Sequence, residues 1–334
     1  MKHFYADSLG FLDLPGKPPV GDINLSEPDG ANINLIHLTS APPWLKTTEY
    51  VLKTHREFVR TLDKQFPDFK IIKNKNELEP FEDRISRCIA IVLGLQNTPE
   101  DILENNNLKV LYDEGIRIMA LAYEDKNSFG GGCMAPQTHL TEKGMNLLHK
   151  FQENNMILDI SHSGLKTAYS VNYLFPRLSV FASHSGCYDI YMHNRNITDH
   201  TMRNIVENGG VIGIPTLNFI LSKDDDSISG FLKHIKHAVY LVGEDNVCVG
   251  SDGVYKKFSI EELMTHHEII RQNIKSEYQD EWKVRFPEHP VNTYSPYKIK
   301  IIAEKLSEFY SEKVVDKICG LNFLNFLRKN LPSF

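Results

Sequence analysis

Paired cysteines, long apolar runs and surplus positive charge are all missing from this chain, and each absence removes a class of protein. The five cysteines, Cys88, Cys133, Cys187, Cys248 and Cys319, are an odd, scattered set with no C-x-x-C pair, so neither a disulfide framework nor a zinc ribbon is implied. Three of them sit in or beside apolar runs, where a free thiol acts as a small core hydrophobe. No stretch reaches the roughly 18 apolar residues of a membrane span, and the run from Met1 to Asp7 lacks the apolar core of a signal peptide. A cytoplasmic protein without a membrane partner is expected. With 37 Lys and Arg against 43 Asp and Glu, the formal charge of −6 leaves no basic footprint for nucleic acid. Small-molecule chemistry is the class that remains.

What the chain does contain is one phrase written twice, Ser161-His162-Ser163-Gly164 and Ser183-His184-Ser185-Gly186. Each copy follows a short apolar run, Met156 to Ile160 and Leu178 to Ala182, that reads as a strand covered on both faces. If the two strands are parallel neighbours, both imidazoles emerge at the same carboxyl edge, which is how an α/β barrel assembles a site. A pair of neutral imidazoles suits zinc or a similar ion. Either histidine alone would equally serve as a core residue tied to backbone carbonyls.

Further strands are predicted at Gly10 to Pro15, Ile33 to Thr39, Ile85 to Leu95, Ile116 to Ala122, Val211 to Pro215 and Val247 to Ser251. Helical spacing separates most of them, at Thr47 to Phe66, Thr141 to Asn154, Leu165 to Leu174 and Thr198 to Asn208, with one more helix expected behind a Thr98 cap. Eight strands with intervening helices make a single (β/α)8 barrel the economical α/β architecture. No linker rich in Pro, Gly or Ser marks a second domain, so residues 1–334 are expected to form one domain, with 256–334 as a helical extension packed on it. The loop Ser128-Phe129-Gly130-Gly131-Gly132 lacks the ending of a phosphate-binding loop and reads as flexible. Asp224-Asp225-Asp226 reads as a solvated loop.

Projected onto one rim, the strand ends bring together Asp13, Gln96, Tyr123, His162, His184 and Asp252. Imidazoles that hold a divalent ion, with a carboxylate that takes and returns a proton, make up a metal-dependent hydrolase site. The runs Met156-Ile157-Leu158-Asp159-Ile160-Ser161-His162, Phe181-Ala182-Ser183-His184-Ser185, His193-Asn194-Arg195-Asn196 and Asn208-Gly209-Gly210-Val211-Ile212 resemble the renal or membrane dipeptidase family, peptidase family M19. Gly250-Ser251-Asp252 and Gly320-Leu321-Asn322-Phe323-Leu324 add to the resemblance, which covers nearly the whole chain.

The resemblance implies a (β/α)8 barrel that holds two zinc ions, hydrolyses dipeptides and often pairs as a homodimer. It assigns His162 and His184 as zinc ligands, Asp252 as the catalytic proton shuttle and Arg195 as the residue that pairs with the substrate carboxylate, a task suited to its planar fork. Asp13, Gln96 and Tyr123 occupy three further positions, two of metal ligation and one of substrate orientation. Departures are specific. Aligned on Asp13-Leu14-Pro15, Phe11 stands where the family has a zinc-binding histidine, Gln96 where it has a bridging glutamate, and Tyr123 where it has a histidine. A neutral amide adds no charge to hold two cations together. The expectation is therefore a dipeptidase-like metallohydrolase with at most one zinc, His37 being a candidate substitute ligand or a packed core residue. The alternative is a catalytically inactive homologue that binds a peptide-like ligand or a protein partner, while a standard dipeptidase would require the alignment of Phe11 or Gln96 to be wrong.

Overall fold

Residues 3–12, 33–82, 88–273 and 275–333 are described by the computed structural model. The strands are β1 Tyr5–Gly10, β2 Ile33–Thr39, β3 Phe69–Ile71, β4 Ile89–Leu95, β5 Ile116–Ala120, β6 Ile157–Asp159, β7 Val180–Phe181, β8 Ile212–Ile214 and β9 Val247–Val249. All pairings among them are parallel, in the order β1-β2-β4-β5-β6-β7 and β8-β9. Bridges Ala182 to Ile212 and Phe11 to Val254 join these two sheets at both seams, so eight strands close into a (β/α)8 barrel. The short β3 runs beside the first half of β4 and is additional to the eight.

Residue parity separates two cores. Leu35 of β2, Ala90 and Val92 of β4, Ile118 of β5, Ile157 of β6 and Phe181 of β7 belong to one buried cluster inside the barrel. Their neighbours Ile36, Ile91, Leu93, Met119 and Leu158 belong to the larger cluster beneath the helices. Both faces of each strand are thus apolar, which explains runs without polar alternation. Phe323 and Phe326, from the helix Asn322–Asn330, enter the inner cluster and stack on Phe181 at 6.0 and 5.0 Å between ring centroids. The end of the chain thereby fills the lower mouth of the barrel.

Several expectations hold residue for residue. The strand Ile33–Thr39 and the helix Leu165–Leu174 have the predicted bounds, and the helix Glu142–Asn154 is capped by Thr141, whose side chain accepts from the Gly144 amide. Others are corrected. The first strand runs Tyr5–Gly10 rather than from Gly10 onward, and positions 13–15 lie outside the described residues. Thr98 caps no helix, because its hydroxyl donates to the Ala120 carbonyl at 2.8 Å and the next helix starts at Asn107. The glycine loop is packed rather than flexible: Gly130, Gly131 and Gly132 are buried, and a Cβ on Gly132 would sit 2.3 Å from the Tyr123 carbonyl oxygen. Only glycine permits that approach. No helix among the described residues is long and apolar enough to cross a membrane.

Candidate active site

Ser161-His162 and Ser183-His184 follow neighbouring strands, and the pairing of Leu158 with Val180 and of Asp159 with Phe181 puts the two phrases side by side at the carboxyl rim. Asp159 has the parity of the inner residue Ile157 and is fully sequestered from water. Its carboxylate accepts from Ser161 N at 3.0 Å, Ser161 Oγ at 2.6 Å, Ser183 N at 3.0 Å and Ser183 Oγ at 2.5 Å. A buried carboxylate needs that many donors to offset its lost hydration.

These bonds determine a tautomer. The single proton of Ser183 is committed to Asp159, while its oxygen lies 2.5 Å from His184 Nδ1. Nδ1 is then the donor to Ser183, and the lone pair of the neutral ring is left on Nε2. That nitrogen points at His162 Nε2, 3.0 Å away, and both rings are buried. Two imidazoles on one tetrahedral zinc at ~2.0–2.1 Å place their nitrogens roughly 3.3 Å apart, so the separation of the pair is compatible with a common cation as well as with the hydrogen bond that His162 Nε2–H would donate to His184 Nε2. Burial first, and then the Arg195 charge, holds both imidazoles well below their ordinary pKa of 6.5, which keeps them neutral and able to coordinate.

Arg195 is 1% exposed and lies under both phrases. Its Nη1 donates to the Ser161 carbonyl, and Nη2 donates to the His184 carbonyl at 3.1 Å. The guanidinium therefore straps the two histidine turns together. Its Nε–H is buried without a partner, and among the described residues no carboxylate pairs with this cation. A buried charge left in that condition is costly and favours an anion beside it.

Tyr123 follows β5 and lies against His162, with ring centroids 4.1 Å apart and planes 26° apart. Burial raises its phenol above the ordinary value of 10.0. The next residue, Glu124, has its carboxyl pushed up to about 7, by burial first and then by Asp125. Gln96 is buried immediately after β4. Asp252 closes the circuit after β9, with a left-handed φ of 54°, a conformation that costs a side-chain-bearing residue on the order of 1 kcal/mol. Desolvation raises its carboxyl from 3.8 to about 7; Arg195 opposes the shift, while Asp7 and Asp159 add to it.

His162, His184, Tyr123 and Arg195 are thus in one contiguous cluster, with Asp252 and Gln96 on the same rim. Asp13 lies outside the described residues, and among the described residues no three His, Cys, Asp or Glu side chains converge on one point as a metal centre. His37 is inside the barrel: its Nδ1 donates to the Ser8 carbonyl at 2.7 Å, and its Nε2 occupies the space where a Cβ on Gly94 would meet it at 2.3 Å. Sequence reasoning passed over Asp159. The signal available was an aspartate embedded in the apolar run Met156 to Ile160, where an unpaired charge does not survive.

Comparisons with known proteins follow the same outline. The profile of the family described as membrane dipeptidase (peptidase family M19) matches residues 29–281. Dipeptidase tcpJ of Claviceps purpurea is 24% identical over 252 residues, which is 74% of this chain and 52% of that protein. Against other curated relatives the chain likewise spans only 40 to 66% of their length. Among solved structures, an amidohydrolase from Pseudomonas aeruginosa superimposes with a TM-score of 0.79 at 19% identity, covering 98% of this chain and 97% of its own. A metallopeptidase from Rhodobacter sphaeroides, liganded with a phosphinate mimic of the dipeptide L-Ala-D-Ala, does so with a TM-score of 0.73 at 18% identity, covering 98% and 99%. The barrel, the paired imidazole turns and the match over residues 29–281 together place this chain in the membrane dipeptidase family, peptidase family M19.

Proposed function

We propose that the protein is a dipeptidase-like hydrolase that cleaves the amide bond of a small peptide with a single divalent ion, zinc by preference, held by His162 and His184. The observation that carries this reading is the convergence of the two Nε2 atoms at 3.0 Å, with the His184 lone pair directed by the Asp159 and Ser183 relay. A divalent ion bound there supplies Lewis acidity to the reacting water and carbonyl. Where the family has histidine and glutamate, Phe11 brings no donor atom and Gln96 no charge to a second cation, which supports one ion rather than two.

The remaining residues divide the work. Arg195 offers its unpartnered Nε–H, and the N–H groups not spent on the Ser161 and His184 carbonyls, to the substrate's terminal carboxylate. Tyr123, fixed against His162, presents a phenol that donates to the substrate carbonyl. Asp252, with a carboxyl near neutrality, takes a proton from the attacking water and returns it to the leaving amine. Family membership and the dipeptidases among its relatives support a peptide substrate.

The test is zinc quantification of the purified protein alongside turnover of dipeptides with L- and D-residues at the C-terminal position. About one equivalent of zinc with zinc-dependent turnover is expected. Two equivalents would replace the single-ion site by a binuclear one, and no retained zinc with no turnover would favour the non-catalytic binder.

A further inference from the structure

The segment that presents Asp252 is gripped from outside the barrel. Phe4, just before β1, and Ala6 within it face the inner cluster while Tyr5 faces the outer one, so Asp7 has outer parity. It is fully buried, and its carboxylate accepts from Ser251 N at 2.8 Å, Ser251 Oγ at 2.5 Å and Tyr255 OH at 2.8 Å. Lys298, the first residue of the helix Lys298–Leu306, comes from the other side and is 2% exposed. Its Nζ donates to the Val254 carbonyl at 2.6 Å, lies 4.0 Å from the centre of the Tyr255 ring, and would be 3.3 Å from a Cβ on Gly253.

Backbone bonds complete the grip. Asp252 N donates to the Leu9 carbonyl at 2.9 Å, Phe11 N to the Gly253 carbonyl at 3.1 Å, and Tyr255 N to the Phe11 carbonyl at 2.9 Å. Residues 251, 253, 254 and 255 are therefore each contacted by Asp7, Lys298 or the end of β1, while Asp252 between them carries the left-handed φ of 54°. Strained backbone of this kind persists only where its surroundings over-determine it. Two buried ionisable groups are a costly means of doing so, since apolar residues of similar volume would hold a mere packing contact as well. Burial drives both toward their neutral forms, raising the Asp7 carboxyl and lowering the Lys298 ammonium to about 7.

We infer that Lys298, together with Asp7 and Tyr255, is a positioning residue that locks the turn 251–255 and so aims the Asp252 carboxylate into the site. The inference rests on the reading of Asp252 as proton carrier, but it has a readout of its own. In Lys298→Met and Tyr255→Phe, kcat is expected to fall, by up to about 100-fold for an ångström of misplacement, with KM within twofold, and the pH limb assigned to Asp252 should move. Hydrogen exchange at the Asp252 amide should quicken while that at the Met119 amide, on β5 and four strands from β9 in either direction round the barrel, does not. Tyr255→Phe removes a single hydroxyl and carries the test if Lys298→Met fails to fold. If both variants keep the wild-type kcat, pH limb and Asp252 amide protection, the clamp is refuted; an equal quickening of exchange at both amides would also refute it, as general loosening. Full activity in Asp252→Asn would instead refute the proton-carrier reading, leaving amide exchange in Lys298→Met to decide the clamp.

Discussion

Asp159, at the β6 and β7 seam, and Asp7, at the β1 and β9 seam, share a construction. Each is buried, Asp159 at the end of β6 and Asp7 within β1, and each accepts from the amide two residues on and from both the amide and the hydroxyl of a serine after a neighbouring strand. They differ in which side of the sheet they face. Asp159 faces inward, and its serine hands the hydrogen-bond chain to an imidazole; Asp7 faces outward and accepts from a phenol, with the buried Lys298 side chain more distant. One position of strand parity thus separates a carboxylate that orients an imidazole from one that holds the turn after β9, because side chains alternate between the two faces of every stave.

The comparison breaks most sharply at the metal. Replacing His184 or His162 with Ala should abolish stoichiometric zinc binding, measured by competition against a chromogenic chelator. Asp159→Asn, which leaves the His184 lone pair undirected, should weaken zinc roughly 10–100-fold, whereas Asp7→Asn should leave zinc affinity unchanged. Equal losses in the two aspartate variants would erase the distinction drawn between the seams.

A smaller effect concerns pH. The Asp252 carboxyl sits at about 7 in the folded chain against 3.8 ordinarily, so the native state holds a proton that the unfolded chain has already released between those values. Activity should therefore rise with pH through a limb near 7, while this group's contribution to stability falls as pH increases from about 4 to about 7. Asp252→Asn should remove the limb and flatten that part of a melting-temperature profile. A limb that persists in Asp252→Asn would assign it to another group, Glu124 being the one in the same range. The smallest change is expected from Tyr123→Phe, which keeps the ring stacked on His162 and loses one hydrogen bond, about 1 kcal/mol; a fivefold or so loss in kcat/KM would fit, and none would remove the phenol from the mechanism.

Much of this was legible in the chain itself. Periodicity located the helices Glu142–Asn154 and Leu165–Leu174, and the repeated Ser-His-Ser-Gly phrase located the imidazole pair before any coordinates. The misses share a cause: they depend on partners distant in sequence. Tyr5–Gly10 was not read as a strand because Asp7 and Ser8 look like surface residues until Ser251, Tyr255, Ser183 and Val249 arrive to satisfy them. Arg195 was read as a substrate clamp from its motif, but its second task, strapping two turns through their carbonyls, becomes visible only once β6 and β7 are neighbours. Thr98 has the chemistry of a cap and was claimed instead by a carbonyl 22 residues away.

The aromatic stopper formed by Phe323 and Phe326 against Phe181 has a consequence for how the protein is made. Phe4 shares that inner cluster, and the backbone at Gly320 presses on the Phe4 carbonyl so closely that a Cβ there would lie 1.9 Å from its oxygen. The first stave and the last helix therefore complete one another across more than 300 residues. The plug follows every stave in chain order, so until it has been synthesised the nascent barrel stands open at its base with a greasy lining in reach of chaperones, and closure is a late, non-local event.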